Sequence, residues 1–160
     1  MALKFSEPEA LNNVADFHRL FDLPIVEVPQ IPHADRCKLR IALLREELEE
    51  LEAAIDNKDI IEAADAFCDL QYVLSGAILE FGLGPKFKQL FDEVQRSNMS
   101  KACESLDQAV DTQEYYKTHK ETESIIQEKM DKFLVYRKED KKVLKSIAYS
   151  PADLIQILET

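Results

Sequence analysis

Glycine is scarce, with three residues in 160. That leaves neither the turn chemistry of a β-sandwich nor a glycine-rich loop able to cradle phosphate, and the abundance of Leu, Ala, Glu and Lys points to helices. Cysteine is scarce too. Cys37, Cys68 and Cys103 are odd in number, far apart and in no CxxC arrangement, which argues against a disulfide framework and a zinc knuckle and leaves reduced packing residues. No apolar stretch approaches the ~20 residues of a membrane span, and Met1-Ala2-Leu3-Lys4-Phe5 lacks the apolar core of a signal peptide. No membrane partner and a cytoplasmic location are therefore expected. Positive charge is in deficit as well: thirty-one acidic against twenty basic residues give a net charge of −11. Such a chain repels nucleic acid on average, so none is expected as a partner, and a highly anionic ligand would have to arrive with a metal.

With 46% hydrophobic residues, the chain can build one domain with a real core and a small appendage. Leu11, Val14, Ala15, Phe17, His18 and Phe21 give a helical stripe over 9–21, in which core packing is the expected job of both phenylalanines. The proline-punctuated stretch 24–32 reads as an extended connector wrapping the core. A second helix over 34–55 carries Ile41, Leu44, Leu48, Leu51 and Ile55 at spacings of three or four. After the turn Asn57-Lys58-Asp59, Asp59 is a good N-cap for a third helix reaching 81, and so short a turn makes the two helices antiparallel neighbours. Gly82-Leu83-Gly84-Pro85 ends it and starts a fourth helix reaching 96. Beyond, 112–130 reads as a polar, loosely packed helix. Phe133-Leu134-Val135-Tyr136-Arg137 and Lys142-Val143-Leu144-Lys145 read as the strands of a small hairpin, and Ser150-Pro151-Ala152-Asp153 as the start of a short closing helix. The fold class expected is all-α: an antiparallel four-helix core over 1–103, and a C-terminal extension over 104–160 packing on the core or on a partner subunit.

Carboxylates dominate the second and third helices. In Glu46-Glu47-Leu48-Glu49-Glu50, the helical repeat puts Glu47 and Glu50 at the border of the apolar stripe and turns Glu46 and Glu49 toward solvent. On the third helix Glu62, Asp65, Asp69, Tyr72 and Gly76 share a sector about 80° wide, interleaved with Ile61 and Val73. Like charges one turn apart cost a few tenths of a kcal/mol per pair, and more when desolvated, unless a cation neutralises them. Glu-rich helices are usually solvated surfaces, with Arg45 or Lys58 available as partners, and for Glu49 and Glu52 that reading is preferred. For Glu47, Glu50, Asp65 and Asp69 a divalent metal is the better explanation. Oxygen-only ligands suit Mg²⁺ or Mn²⁺ rather than zinc, and the absence of a Glu-x-x-His pair argues against a di-iron bundle. His18, His33 and His119 stand alone and read as surface or core histidines.

The run from Leu39 to Glu50, with Arg45-Glu46-Glu47-x-x-Glu50 at its end, followed by Asp65-Ala66-Phe67-Cys68-Asp69-Leu70-Gln71-Tyr72-Val73-Leu74-Ser75-Gly76, resembles the all-α nucleoside triphosphate pyrophosphohydrolases of the MazG and phosphoribosyl-ATP pyrophosphohydrolase type. Arg96-Ser97-Asn98-Met99-Ser100-Lys101, the Lys-rich 141–145, Tyr149 and Pro151-Ala152-Asp153-Leu154 make it most similar to the single-domain branch with dUTP-cleaving enzymes. The likeness covers about 14–103 and 133–158. It implies a MazG-type four-helix core, a metal site of Glu46, Glu47, Glu50 and the third-helix acids, and nucleotide contacts from Asn98 and Lys101. One departure stands out. The family's Glu-x-x-Asp motif is satisfied by Glu62 and Asp65, whereas alignment on the following segment puts its Asp on Asp69 and Ala66 in place of its Glu. Asp65 and Asp69, one turn apart, are the preferred pair, with Glu62 in reserve.

The resemblance implies Mg²⁺-dependent cleavage of an α–β phosphoanhydride, with dUTP or dCTP the expected substrate type and a nucleoside monophosphate and pyrophosphate the products. Glu46 or Glu47 would accept the proton of the attacking water, Lys101 and Lys145 would meet the phosphates, and Tyr149 could stack on a base. It further implies a homodimer or homotetramer. The alternatives are phosphoribosyl-ATP hydrolysis and a helical dimer that binds nucleotide without turnover, Ala66 having removed a ligand.

Overall fold

The computed structural model describes residues 4–159; Met1-Ala2-Leu3, on which part of the leader reading rests, lie outside the described residues. Among the described residues the chain is mostly helical, in the order α1 (Ala10–Leu20), α2 (Ala34–Asp56), α3 (Ile60–Glu80), a 3₁₀ turn (Gly84–Lys86), α4 (Phe87–Met99), α5 (Leu106–Lys120), β1 (Ser124–Lys129), β2 (Lys132–Arg137) and α6 (Leu154–Glu159). No single described helix is long and apolar enough to cross a membrane. The chain divides into two compact units, Met1–Phe87 and Lys88–Thr160; position 103 falls inside the second.

The first unit is organised by the turn between α2 and α3. Asp59 caps α3, its Oδ1 accepting from the backbone N–H of Ile61 and Glu62 at 3.0 and 3.2 Å, an arrangement worth about 1 kcal/mol. So short a connection holds the two helices antiparallel, and Leu51, Ala54, Ala63 and Ala66 form their buried seam, with Leu70 against it. Three alanines there let the helix axes approach closely. α1 packs through Val14 and Ala15 against Leu79, beside Leu11 and Ile25. The connector after α1 is extended, and the N–H groups of Val26 and Gln30 donate to the carbonyls of Leu79 and Phe81 at 3.0 Å, the Leu79 carbonyl also accepting from Gly82 N–H at 3.2 Å, so the connector is tied to the end of α3. It crosses directly over Gly82, where φ is +69° and a Cβ would lie 2.1 Å from the Val28 carbonyl oxygen. Only glycine fits there.

Two apolar expectations are corrected. Leu51 is buried, but Ile41, Leu48 and Ile55 are 56%, 48% and 58% exposed, because α3 covers only one side of α2 and α1 packs on α3 instead. Phe17 and Phe21 are not core residues either; both are exposed.

In the second unit β1 and β2 form an antiparallel hairpin in register Lys129↔Lys132 to Ser124↔Arg137, closed by Met130 and Asp131 with φ of +51° and +59°. The residues of β1 belong to the stretch expected to be helix, which ends ten residues early at Lys120. The expected partner of β2 also reaches it, by the Tyr136↔Val143 bridge and the Leu144 N–H to Val135 carbonyl bond of 2.8 Å. Cys103, Ala109, Val135 and Leu144 form this unit's core. α6 begins at Leu154 rather than at Pro151, with Asp153 Oδ1 accepting from Gln156 N–H at 3.2 Å.

Candidate active site

The antiparallel pairing of α2 and α3 brings the acids of the two helices into one field. Glu47 is half-buried, and its carboxyl is held above the usual range, first by desolvation and then by the negative charges of Asp69, Glu50, Glu46 and Asp65. Asp69 is half-buried, while Glu46, Glu50 and Asp65 are exposed. None of these five has a basic partner among the described residues; neither Arg45 nor Lys58 forms an ion pair with them. Glu62, exposed on the first turn of α3, is not among the charges that act on Glu47. Ala66 is only 3% exposed in the α2–α3 seam, so a carboxylate there would be buried between Leu51 and Ala54.

This donor set fits a hard divalent cation by chemistry. It offers oxygen alone, from two helices, with repulsion left uncompensated by any basic side chain. As the side chains stand, no three acidic, His or Cys groups among the described residues close into a finished coordination cage.

Beside the acids lies an ionic network that sequence reading missed. Glu80 is 1% exposed and accepts from Arg40 Nη2 at 2.6 Å, from Arg36 Nε at 3.1 Å and from Arg36 Nη2. Burial pushes the Glu80 carboxyl up, but the hydrogen bonds and charges of Arg36 and Arg40 outweigh it and hold the group below its ordinary range. Arg40 Nη2 also donates to His18 Nε2 at 3.1 Å, and since arginine can only donate, the His18 proton sits on Nδ1, 2.8 Å from the Pro24 carbonyl. His18 is thus a satisfied core histidine. A Cβ on Gly76 would meet Arg40 Nη1 at 2.7 Å, so the absence of a side chain there admits the guanidinium. This network fixes the first turns of α2 to the end of α3, with the acids lying farther along both helices.

The residues expected to contact nucleotide cluster in the second unit. Lys101 Nζ donates to Asn98 Oδ1 at 2.8 Å, and Lys145 Nζ lies 4.2 Å from the centre of the Tyr149 ring. The Tyr149 hydroxyl accepts from Ser97 Oγ at 3.0 Å and is held more acidic than usual by that bond and, against some burial, by the charges of Lys145 and Lys101. Arg96 and Ser100 serve another end: they bond the carbonyls of Pro151 and Ser150, at 3.0 and 3.3 Å, tying the C-terminal segment to α4.

The sequence model of the phosphoribosyl-ATP pyrophosphohydrolase family matches residues 14–98, more than half of the chain and all of the acid-bearing helices. The chain belongs to that family. Its membership supports a nucleotide pyrophosphohydrolase-type activity. A stretch of 82 residues is 35% identical to an uncharacterized protein of Acanthamoeba polyphaga mimivirus, covering 48% of this chain and 33% of that relative. The match therefore spans about a third of the viral protein's length.

Proposed function

We propose that this family member is a nucleoside triphosphate pyrophosphohydrolase dependent on Mg²⁺ or Mn²⁺, cleaving the α–β phosphoanhydride of a dUTP- or dCTP-like nucleotide to a monophosphate and pyrophosphate. The observation that carries the reading is the field at Glu47, where acids from two helices repel one another with no basic partner, inside the segment that the family model matches. Glu47, Glu50, Asp65 and Asp69 would hold the ion, with Glu62 in reserve. Asp65 and Asp69 are preferred because position 66, the alternative site for an acid, faces the α2–α3 seam. When bound, the cation supplies neutralisation of phosphate oxygens and acidification of the attacking water. Glu46 or Glu47 accepts the water proton, and the raised proton affinity of Glu47 suits it to that role. Lys101 and Lys145 bring fixed positive charge to the phosphates; Asn98 and Tyr149 offer hydrogen bonds and a ring face to sugar or base.

The reading includes self-association as a homodimer or homotetramer in the cytoplasm. Ile41, Leu48 and Ile55 on α2 and Ile60, Phe67 and Leu74 on α3 repeat every seven residues and are all exposed. Six exposed apolar side chains in two helical rows are a face of the kind that a second copy covers, and a standard interface takes roughly 800 Å² from each partner. The α2–α3 pairs of two copies would complete a four-helix core there.

Incubation with a panel of nucleoside triphosphates and Mg²⁺, with product identification, tests the activity. Release of pyrophosphate and a monophosphate is expected, and its absence for every nucleotide overturns the reading. Phosphoribosyl-ATP, favoured by the family's own name, is the second substrate reading. Direct competition between it and deoxynucleotides separates the two.

A further inference from the structure

Three aromatic rings gather where α1 meets α3, and water reaches all of them. Phe17 and Phe21 have centroids 4.3 Å apart, and Phe17 meets Tyr72 edge-on at 5.6 Å. Their exposures are 37%, 57% and 39%, so the cluster is a surface platform and not a piece of core. The Tyr72 hydroxyl has no hydrogen-bond partner within the protein among the described residues.

The platform's position gives it meaning. Tyr72 follows Asp69 by three residues and Asp65 by seven, so all three lie on one side of α3, with Tyr72 ~5 Å along the axis from Asp69. The heptad row Ile60, Phe67 and Leu74 faces the opposite way, about 140–180° round the helix. The two exposed faces of α3 therefore differ in kind. One is aliphatic, apart from Phe67, and suits another helix; the other is acidic with flat rings beside it. A nucleotide needs such a pairing, since its base lies one sugar away from its α-phosphate, and every base offers a π-face that stacks without regard to sequence.

We infer that Phe17, Phe21 and Tyr72 form a base-binding platform of this chain, taking the planar heterocycle of a nucleoside by stacking, with the Tyr72 hydroxyl as the platform's own polar group toward the base edge. The inference rests on the nucleotide-hydrolase reading for the origin of its ligand, but it concerns binding alone. Since Phe17 and Tyr72 stand edge-on to one another, the base stacks on one ring face with the other rings as walls; such stacking beside one hydroxyl discriminates little between bases, so the platform predicts broad tolerance of bases and dependence on the presence of one.

Saturation-transfer NMR with deoxyuridine and deoxyadenosine, without metal or phosphate, tests this independently of turnover. Saturation should reach the base protons of both nucleosides in the full chain, and Phe17→Ala or Tyr72→Ala should weaken the binding at least about fivefold. Tyr72→Phe should keep the stacking and bind both nucleosides nearly as the wild-type chain does. Circular dichroism of each variant confirms that it is folded. Absence of base saturation in the wild-type chain overturns the inference, as does equal saturation in wild type and both alanine variants. So does a change in oligomer mass in Phe17→Ala with base saturation unaltered, which would make the platform a contact between copies. A chain that binds nucleosides here yet releases no pyrophosphate from any triphosphate would retain the platform and lose the hydrolase reading.

Discussion

Glu47 concentrates the chemistry of α2 and α3 in one carboxyl. Its half-buried position and four acidic neighbours make its ionised form unfavourable, which is tolerable in a site built to receive a cation and wasteful anywhere else. Glu47→Gln should lower turnover about 10²–10⁴-fold, the range of a lost general base, while removing repulsion. Its metal-free thermal stability should be unchanged or higher by a few tenths of a kcal/mol. Loss of activity together with a lower melting temperature would mark Glu47 as structural. The sign of the pH dependence follows from the same shift. A folded-state affinity for protons above the unfolded one stabilises the metal-free chain at pH below the ordinary carboxylate range, and that contribution disappears as pH rises through the raised folded value. Thermal melts of wild type and Glu47→Gln should therefore diverge with rising pH, in favour of the variant. At this scale the sequence was legible where charge shows as local pattern: Glu50, Asp65 and Asp69, which act on the Glu47 carboxyl, stand out with it by spacing alone. Arg40, Glu80 and His18 did not, because Glu80 and Arg40 lie 40 positions apart and His18 another 22 before Arg40. A buried ion pair between distant helices leaves no periodic trace.

Among the elements, the α2–α3 pair depends on the Arg36–Arg40–Glu80 network at one end and the Asp59 cap at the other. Glu80→Gln leaves Arg40 buried without its countercharge and should cost about 3–5 kcal/mol in denaturant unfolding; a loss below ~1 kcal/mol would show that water reaches the network freely. The depressed Glu80 carboxyl gives stability that is present above the unfolded carboxylate range and lost as pH falls through the folded value, so the wild-type chain loses this advantage over Glu80→Gln in acid. The helices of the first unit were legible because proline, the Asp59 cap and the turn punctuate them. The β1–β2 hairpin was legible only in β2. Its turn, Met130-Asp131, holds two positive φ angles without the Asn or Gly that usually announces them, so β1 read as the tail of α5. Met130→Asn with Asp131→Gly should relieve this strain and raise the stability of the second unit by about 1 kcal/mol, measured by thermal unfolding.

For the whole molecule, the apolar row on α2 was legible as periodicity, but not as surface, and the row on α3 was not read. A hydrophobic stripe predicts burial without saying whether the cover comes from the same chain or another. Leu48→Glu with Phe67→Glu should convert the associated species to monomer in light scattering, and unchanged mass would remove the proposed interface. Occupation of the acid site is the claim on which the rest depends, and Mn²⁺ binding followed by electron paramagnetic resonance reads it directly, without substrate or turnover. The account predicts saturable binding to the wild-type chain, weakened at least about tenfold in Glu47→Gln with Asp69→Asn, the loss expected from removing two charged ligands. Wild-type and variant chains that leave Mn²⁺ equally free in solution, or bind it equally well, would contradict it.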